Sequence, residues 1–119
     1  MLIITTALLL GCTPPERFDN GYTSRDIEGA WLDETNTVTT ITRAGSTAQV
    51  TSIVDGDDGE AYTVLASGPD EGLFHWRYLV PSTGYTVDIW IDAVDRDAAL
   101  THWSNSAGAA GAEQMTRQE

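Results

Sequence analysis

Lysine is missing from the sequence altogether, and cysteine occurs once, as Cys12. A lone cysteine excludes an intramolecular disulfide, so the fold must hold by packing and backbone pairing. The basic residues number only six, all arginine, against 18 acidic ones, for a formal net charge of −12. Such a surface repels a phosphate backbone instead of neutralising it, which disfavours nucleic-acid binding, and it repels an anionic lipid surface too. A GC-rich genome or a saline habitat would each fit the absence of lysine. Long apolar runs are absent as well. Residues 2–10 form an uncharged apolar stretch that is too short to cross a bilayer and has the length of a signal-peptide core. No HExxH, GxSxG, P-loop or paired-cysteine motif occurs, and no nucleophile sits in a recognisable catalytic context. The expectation is a non-enzyme without a cofactor.

What is present is strand after strand. The clearest stretch runs from Leu73 to Asp92, where two alternating runs flank the turn signal Pro81-Ser82-Thr83-Gly84. Phe74, Trp76, Tyr78 and Val80 share one face at period two, and Tyr85, Val87, Ile89 and Ile91 do so after the turn. With Pro81–Gly84 as the loop, Val80 faces Tyr85, Tyr78 faces Val87, Trp76 faces Ile89 and Phe74 faces Ile91. The other face then pairs Arg77 with Asp88, His75 with Trp90 and Leu79 with Thr86. A slip of one residue would separate Trp76 and Ile89 onto opposite faces, so the register is strongly specified.

Turn signals at Thr35-Asn36, Ala44-Gly45, Asp55 to Gly59, Gly68-Pro69-Asp70, Pro81 to Gly84, Asp95 to Asp97 and Asn105 to Gly111 divide the rest. They bound strands over 27–33, 37–43, 47–54, 60–66, 72–80, 85–94, 98–104 and 112–118. Short consecutive connections favour an antiparallel up-and-down meander, since parallel strands need long crossovers. The fold class is all-β, a small closed or partly open barrel spanning residues 26–119. A turn at Ala44-Gly45 would place Ile41 opposite Ala48 and Thr39 opposite Val50. The large inward side chains Phe74, Trp76, Tyr78 and Tyr85 are bulky enough to fill a small barrel.

Leu9-Leu10-Gly11-Cys12 resembles a bacterial lipobox. The resemblance implies a signal peptide over 1–11, lipidation of Cys12 and anchoring by two or three acyl chains. Thr13 in place of an inner-membrane-retaining Asp implies outer-membrane delivery in a two-membrane cell. The competing reading is a buried apolar strand that ends in a core cysteine. Residues 12–25, with Pro14-Pro15 and Asn20-Gly21, read as a tether, from which Phe18 and Tyr22 are able to dock on the domain.

Gly29-Ala30-Trp31 opens the first strand and Arg117 lies in the last, which suits closure of first against last. Here the chain resembles the calycins, the superfamily of lipocalins, fatty-acid-binding proteins and avidins, which carry Gly-x-Trp in the first strand. The resemblance implies that Arg117 packs across Trp31, and it raises a small apolar ligand held in the barrel as a possible partner. The alternative for Trp31 is an ordinary core aromatic.

Two surface constellations remain. Asp55, Asp57, Asp58 and Glu60 are a weak calcium candidate, but their spacing departs from an EF-hand loop and Asp-Gly pairs are themselves turn formers. If Asp95-Arg96-Asp97 form a loop, Trp90 opposes His102 and Ile89 opposes Trp103. His75, Trp90 and His102 then make a row across three strands, with the histidines about 9 to 10 Å apart. One zinc, with Zn–N bonds of about 2 Å, does not bridge that gap, so no metal is expected. An outward Trp between two His, beside Arg77 and Asp88, instead suits contact with a protein or glycan partner. The bland alternative places Trp90 under the linker or the C-terminus. The function expected from sequence is a lipid-anchored envelope domain for such binding, or else a calycin-like carrier of a small apolar ligand.

Overall fold

The computed structural model describes residues 14–118. Cys12, and with it the signal-peptide and lipidation expectations, lies outside the described residues. The strands are β1 (Gly29–Leu32), β2 (Thr37–Ala44), β3 (Thr47–Asp55), β4 (Thr63–Asp70), β5 (Leu73–Leu79), β6 (Thr86–Asp95), β7 (Ala98–Asn105) and β8 (Ala110–Gln118). Each pairs antiparallel with the next except β3 with β4, and β1 also pairs with β8, giving the order β3-β2-β1-β8-β7-β6-β5-β4. The sheet curls into a nearly closed barrel whose seam lies between β3 and β4. Only a few bonds bridge that seam, among them the Tyr62 amide to the Ile53 carbonyl at 2.9 Å and the Val50 amide to the Ser67 hydroxyl at 3.3 Å.

The β5–β6 hairpin has the register that its alternation dictates. Phe74 pairs with Ile91, Trp76 with Ile89 and Tyr78 with Val87 on the inner face, while Arg77–Asp88 and His75–Trp90 pair on the outer one. Phe74, Trp76 and Ile91 are fully buried together with Trp31, Ile41 and Ile53, so the barrel axis is filled with side chains. The Trp76 indole N–H has no acceptor among the described residues, and its place in the core rests on bulk. Tyr85, expected to point inward, is 48% exposed, because the chain is already leaving the barrel wall where the Pro81–Gly84 loop closes.

Three local expectations are corrected. The fourth hairpin turns at Glu71-Gly72, not at Gly68-Pro69-Asp70, because Glu71 (φ 51) and Gly72 (φ 84) supply the two positive φ angles of a tight hairpin loop. Pro69 is tolerated within β4, which has no full ladder partner on its other side. The β2–β3 hairpin turns at Gly45-Ser46, not at Ala44-Gly45, so Ile41 faces Val50, and a bulge at Thr51 brings Thr39 opposite Ile53. The Arg96-Asp97 turn is one residue shorter than Asp95 to Asp97, yet Trp90 still meets His102, since a bulge at Asp92 restores the register.

The tether expected over 12–25 is, from Pro14 onward, a folded plug across one end of the barrel. Phe18, Tyr22, Ser24 and Ile27 are buried there, around a short 3-10 turn at Asp19–Gly21. The Tyr22 hydroxyl donates to the Ile91 carbonyl and accepts from the Phe74 amide, each at 2.7 Å. Backbone bonds from Glu16 to Ser46 and from Asp19 to Gly72 fix the plug to two hairpin turns. Glycine suits position 72, where φ is +84° and a Cβ would push the Asp19 carboxylate aside.

Candidate functional site

The outer face of β5, β6 and β7 gathers the aromatic and charged groups singled out from the sequence. Period-two alternation turns His75, Arg77, Asp88, Trp90 and His102 outward once Phe74, Trp76, Ile89 and Ile91 point in. Trp90 is sandwiched: its ring centroid lies 4.9 Å from that of His75 and 4.8 Å from that of His102, and the latter pair is parallel to within 6°. The indole N–H donates to Asp70 Oδ2 at 2.8 Å. Both indole faces are therefore covered by imidazoles, which leaves no open π-face on which a sugar ring would stack.

Each histidine is held by its own carboxylate. His75 Nε2 lies 2.7 Å from Asp88 Oδ1, the atom that also accepts from Arg77 Nε at 2.8 Å. His102 Nδ1 lies 2.8 Å from Asp92 Oδ1. Burial resists ionisation of Asp88, but the hydrogen bonds from Arg77 and His75 outweigh it and hold the carboxyl below its ordinary pKa. The arrangement is a stiff plate of stacked rings with its polar atoms largely committed to one another.

Sequence reasoning misses Asp70 and Asp92 as members of this plate. Asp92 was accessible from the period-two pattern, being two residues beyond Trp90 on β6. Asp70 was not, because the misplaced fourth turn assigns it to a loop.

Gly29, Trp31 and Arg117 come together at the β1–β8 closure. Trp31 and Arg117 are direct partners, and the guanidinium carbon sits 4.3 Å from the Trp31 ring centroid. Arg117 also donates to Asp97 Oδ1 at 3.0 Å, to the carbonyls of Asp26 at 2.7 Å and Arg96 at 3.1 Å, and to that of Glu28. A Cβ on Gly29, whose φ is +131°, would lie 2.9 Å from Arg117 Nη1. These contacts fix structure and leave the guanidinium few free donors.

The acidic stretch folds as a turn. Asp55 Oδ1 accepts from the Asp57 amide and Asp58 Oδ1 from the Glu60 amide, both at 2.8 Å. Asp57 accepts from Asn36 Nδ2 at 2.9 Å, and Glu60 accepts from the Ser82 amide and hydroxyl at 2.8 Å. Asp55 Oδ2 also accepts from the Tyr62 hydroxyl, whose pKa is pushed up to about 12 by burial and by that carboxylate. The four carboxylates address different donors, and among the described residues no group of three or more His, Cys, Asp or Glu side chains converges as a metal site.

The unplugged end holds a cavity of about 150 Å³ lined by Asp33, Thr35, Tyr78, Val87, Ile89, Trp103 and Glu113. Burial and the neighbouring Asp33 raise the Glu113 pKa. This space is well below the roughly 300 to 1,000 Å³ usual for small-molecule sites. No family model, no curated protein and no solved structure matches the chain.

Proposed function

We propose that the chain is a non-enzymatic, calycin-like binding domain of the cell envelope, anchored by lipid on Cys12 and meeting a protein partner through the outer face of β5–β7. The observation that carries this reading is the His75–Trp90–His102 stack, pre-organised on the wall of a barrel whose interior is filled by Trp31, Phe74 and Trp76. A rigid aromatic plate edged by Arg77, which is 52% exposed, suits a protein contact in which little side-chain entropy is lost on binding. The covered faces of Trp90 favour a protein over a glycan. The packed interior weighs against an apolar cargo, which needs a cavity that these side chains occupy. The described chain begins two residues after Cys12 and goes straight into the plug, so an anchor at Cys12 would hold the plugged end toward a bilayer. Outer-membrane delivery is the matching destination.

Two measurements test this. In a bacterial host that processes lipoproteins, the wild-type chain should incorporate labelled palmitate and sediment with membranes, and Cys12→Ala should be unlabelled and released. Retention of the variant would overturn the anchor. A photo-crosslinking residue at position 102 should capture a discrete envelope protein, and added Trp90→Ala should abolish the adduct. The same residue at exposed position 42 on β2 should give none; equal capture at both positions would remove the assigned face.

A further inference from the structure

We infer that the plugged end of the barrel carries an anion site for a phosphate group, built by Arg25 and Arg96 against the fixed guanidinium of Arg117. The site shares no residue with the β5–β7 face and goes beyond the binding reading above. It is a pocket of about 450 Å³ whose lining includes Asn20, Tyr22, Arg25, Val94, Arg96 and Arg117.

Charge bookkeeping points to it. With 18 acidic residues to six arginines, every arginine should find a carboxylate with ease. Arg43 pairs with Glu28, Arg77 with Asp88 and Arg117 with Asp97. Arg17 donates to the Gly21 carbonyl at 3.2 Å. Among the described residues, Arg25 and Arg96 have neither an ion pair nor a side-chain hydrogen bond, and both line this one pocket. The two carboxylates on its wall are already engaged: Asp97 by Arg117, and Asp26 by the amide and hydroxyl of Thr23 at 2.8 and 3.2 Å. The pocket therefore sets three guanidinium groups against two carboxylates, a net positive lining on a strongly negative molecule, with Arg25 and Arg96 the two that have no partner.

The backbone gives an independent reason. Arg96 has φ 57°, in a two-residue turn where Gly, Asn or Asp would sit at lower conformational cost. Asp flanks it on either side, so the easier residue type is at hand and is not the one used. A strained position that keeps a guanidinium at a pocket rim is the pattern of a side chain retained for contact. Guanidinium forks bind phosphate oxygens with paired, charge-assisted hydrogen bonds, and two of them with a third fixed behind suit a tetrahedral dianion or a phosphodiester. Two sources supply that chemistry: a free phosphate, or a phospholipid headgroup. The second rests on the proposed anchor at Cys12, which would turn this end to the bilayer; the pocket chemistry itself does not.

The test is a titration of the full chain in neutral-detergent micelles with inorganic phosphate and, separately, with glycerophosphoglycerol, a phosphodiester headgroup without its acyl chains. Amide chemical shifts of Asn20, Arg96 and Asp97 provide the readout. Both variants are mild, since Arg25 is exposed and glycine relieves the strain at 96. Saturable shifts confined to the pocket are expected, and Arg25→Gln with Arg96→Gly should weaken binding about tenfold or more while the Trp31 and Trp76 indole resonances stay in place. If the double variant does not fold, Arg25→Gln alone should weaken binding about threefold. Tighter binding of glycerophosphoglycerol assigns the headgroup as source, and tighter binding of phosphate assigns the free anion. Unsaturable shifts spread over the surface, or undiminished binding by the folded variant, overturn the site. The titration involves no bilayer, so its failure leaves the anchor standing, and membrane retention of Cys12→Ala leaves the pocket standing.

Discussion

At the scale of single residues, two positions carry more than their side-chain size suggests. Gly29 leaves the space that the Arg117 guanidinium occupies over Trp31, with a backbone angle that L side chains rarely adopt. Gly29→Ala should therefore cost about 1 to 3 kcal/mol in urea denaturation, from backbone strain and displacement of Arg117 together. Asp88 acts through charge. Its folded pKa lies below the unfolded value, so its contribution to stability is complete above the unfolded carboxylate pKa and is lost as pH falls through the folded one. Asp88→Asn should lower the melting temperature at pH 7 and close most of its gap to wild type once the pH has fallen through the lowered folded pKa. An equal gap at pH 7 and below that pKa would assign the loss to packing. His75 lends support from one side and Arg77 from the other, and neither replaces the carboxylate that joins them.

At the scale of elements, the turns decide how well a register can be read. The β5–β6 pairing is legible because both faces constrain it: large apolar side chains meet on one and Arg77 meets Asp88 on the other. The Thr-rich β2–β3 hairpin has no such constraint, so its register depends on which residue takes the positive φ angle, and Gly45 takes the first loop position. Bulges at Thr51, Leu65 and Asp92 are silent in a period-two pattern, and the row from His75 to His102 is correctly placed only because the Asp92 bulge offsets a shorter turn. The rings of the plate and Asp88 were thus visible, Asp92 lay within the same alternation, and Asp70 was hidden by the misplaced turn; the arginine pocket was hidden entirely, since the plug segment resembles a linker by composition. Glu71 marks a turn whose conformation its residue type disfavours. Glu71→Asn should raise stability by about 0.5 to 1 kcal/mol, because Asn tolerates the left-handed region where a longer side chain does not. A neutral or destabilising result in thermal denaturation would mean that the Glu71 side chain has a contact that offsets its strain.

At the scale of the whole molecule, one end is sealed by the chain's own N-terminal segment and the other is crowded with negative charge. The seal depends on a single hydroxyl group for two backbone partners, and burial raises the Tyr22 pKa so that it stays protonated. Tyr22→Phe should cost about 2 to 4 kcal/mol, since it strands the Ile91 carbonyl and the Phe74 amide, and hydrogen exchange at Phe74 should accelerate with it. The opposite end gathers Asp33, Glu34, Asp55, Asp57, Asp58, Glu60 and Glu113, while its loops contain no arginine. Glu113 feels both effects: burial first, and then Asp33, lift its pKa, so stability is lost as pH rises from the unfolded carboxylate value up to that raised one and the loss is complete above it. Exposed charges repel over a Debye length that shrinks from about 30 Å at 0.01 M salt to 3 Å at 1 M. Adding salt at pH 7 should accordingly raise the melting temperature by about 2 to 5 °C. In Glu113→Gln the low-salt melting temperature should start higher and the gain from salt should shrink, because the variant keeps the acceptor for the Glu34 amide and removes only the charge. A salt response as large in the variant as in wild type would place the dominant repulsion elsewhere on the barrel.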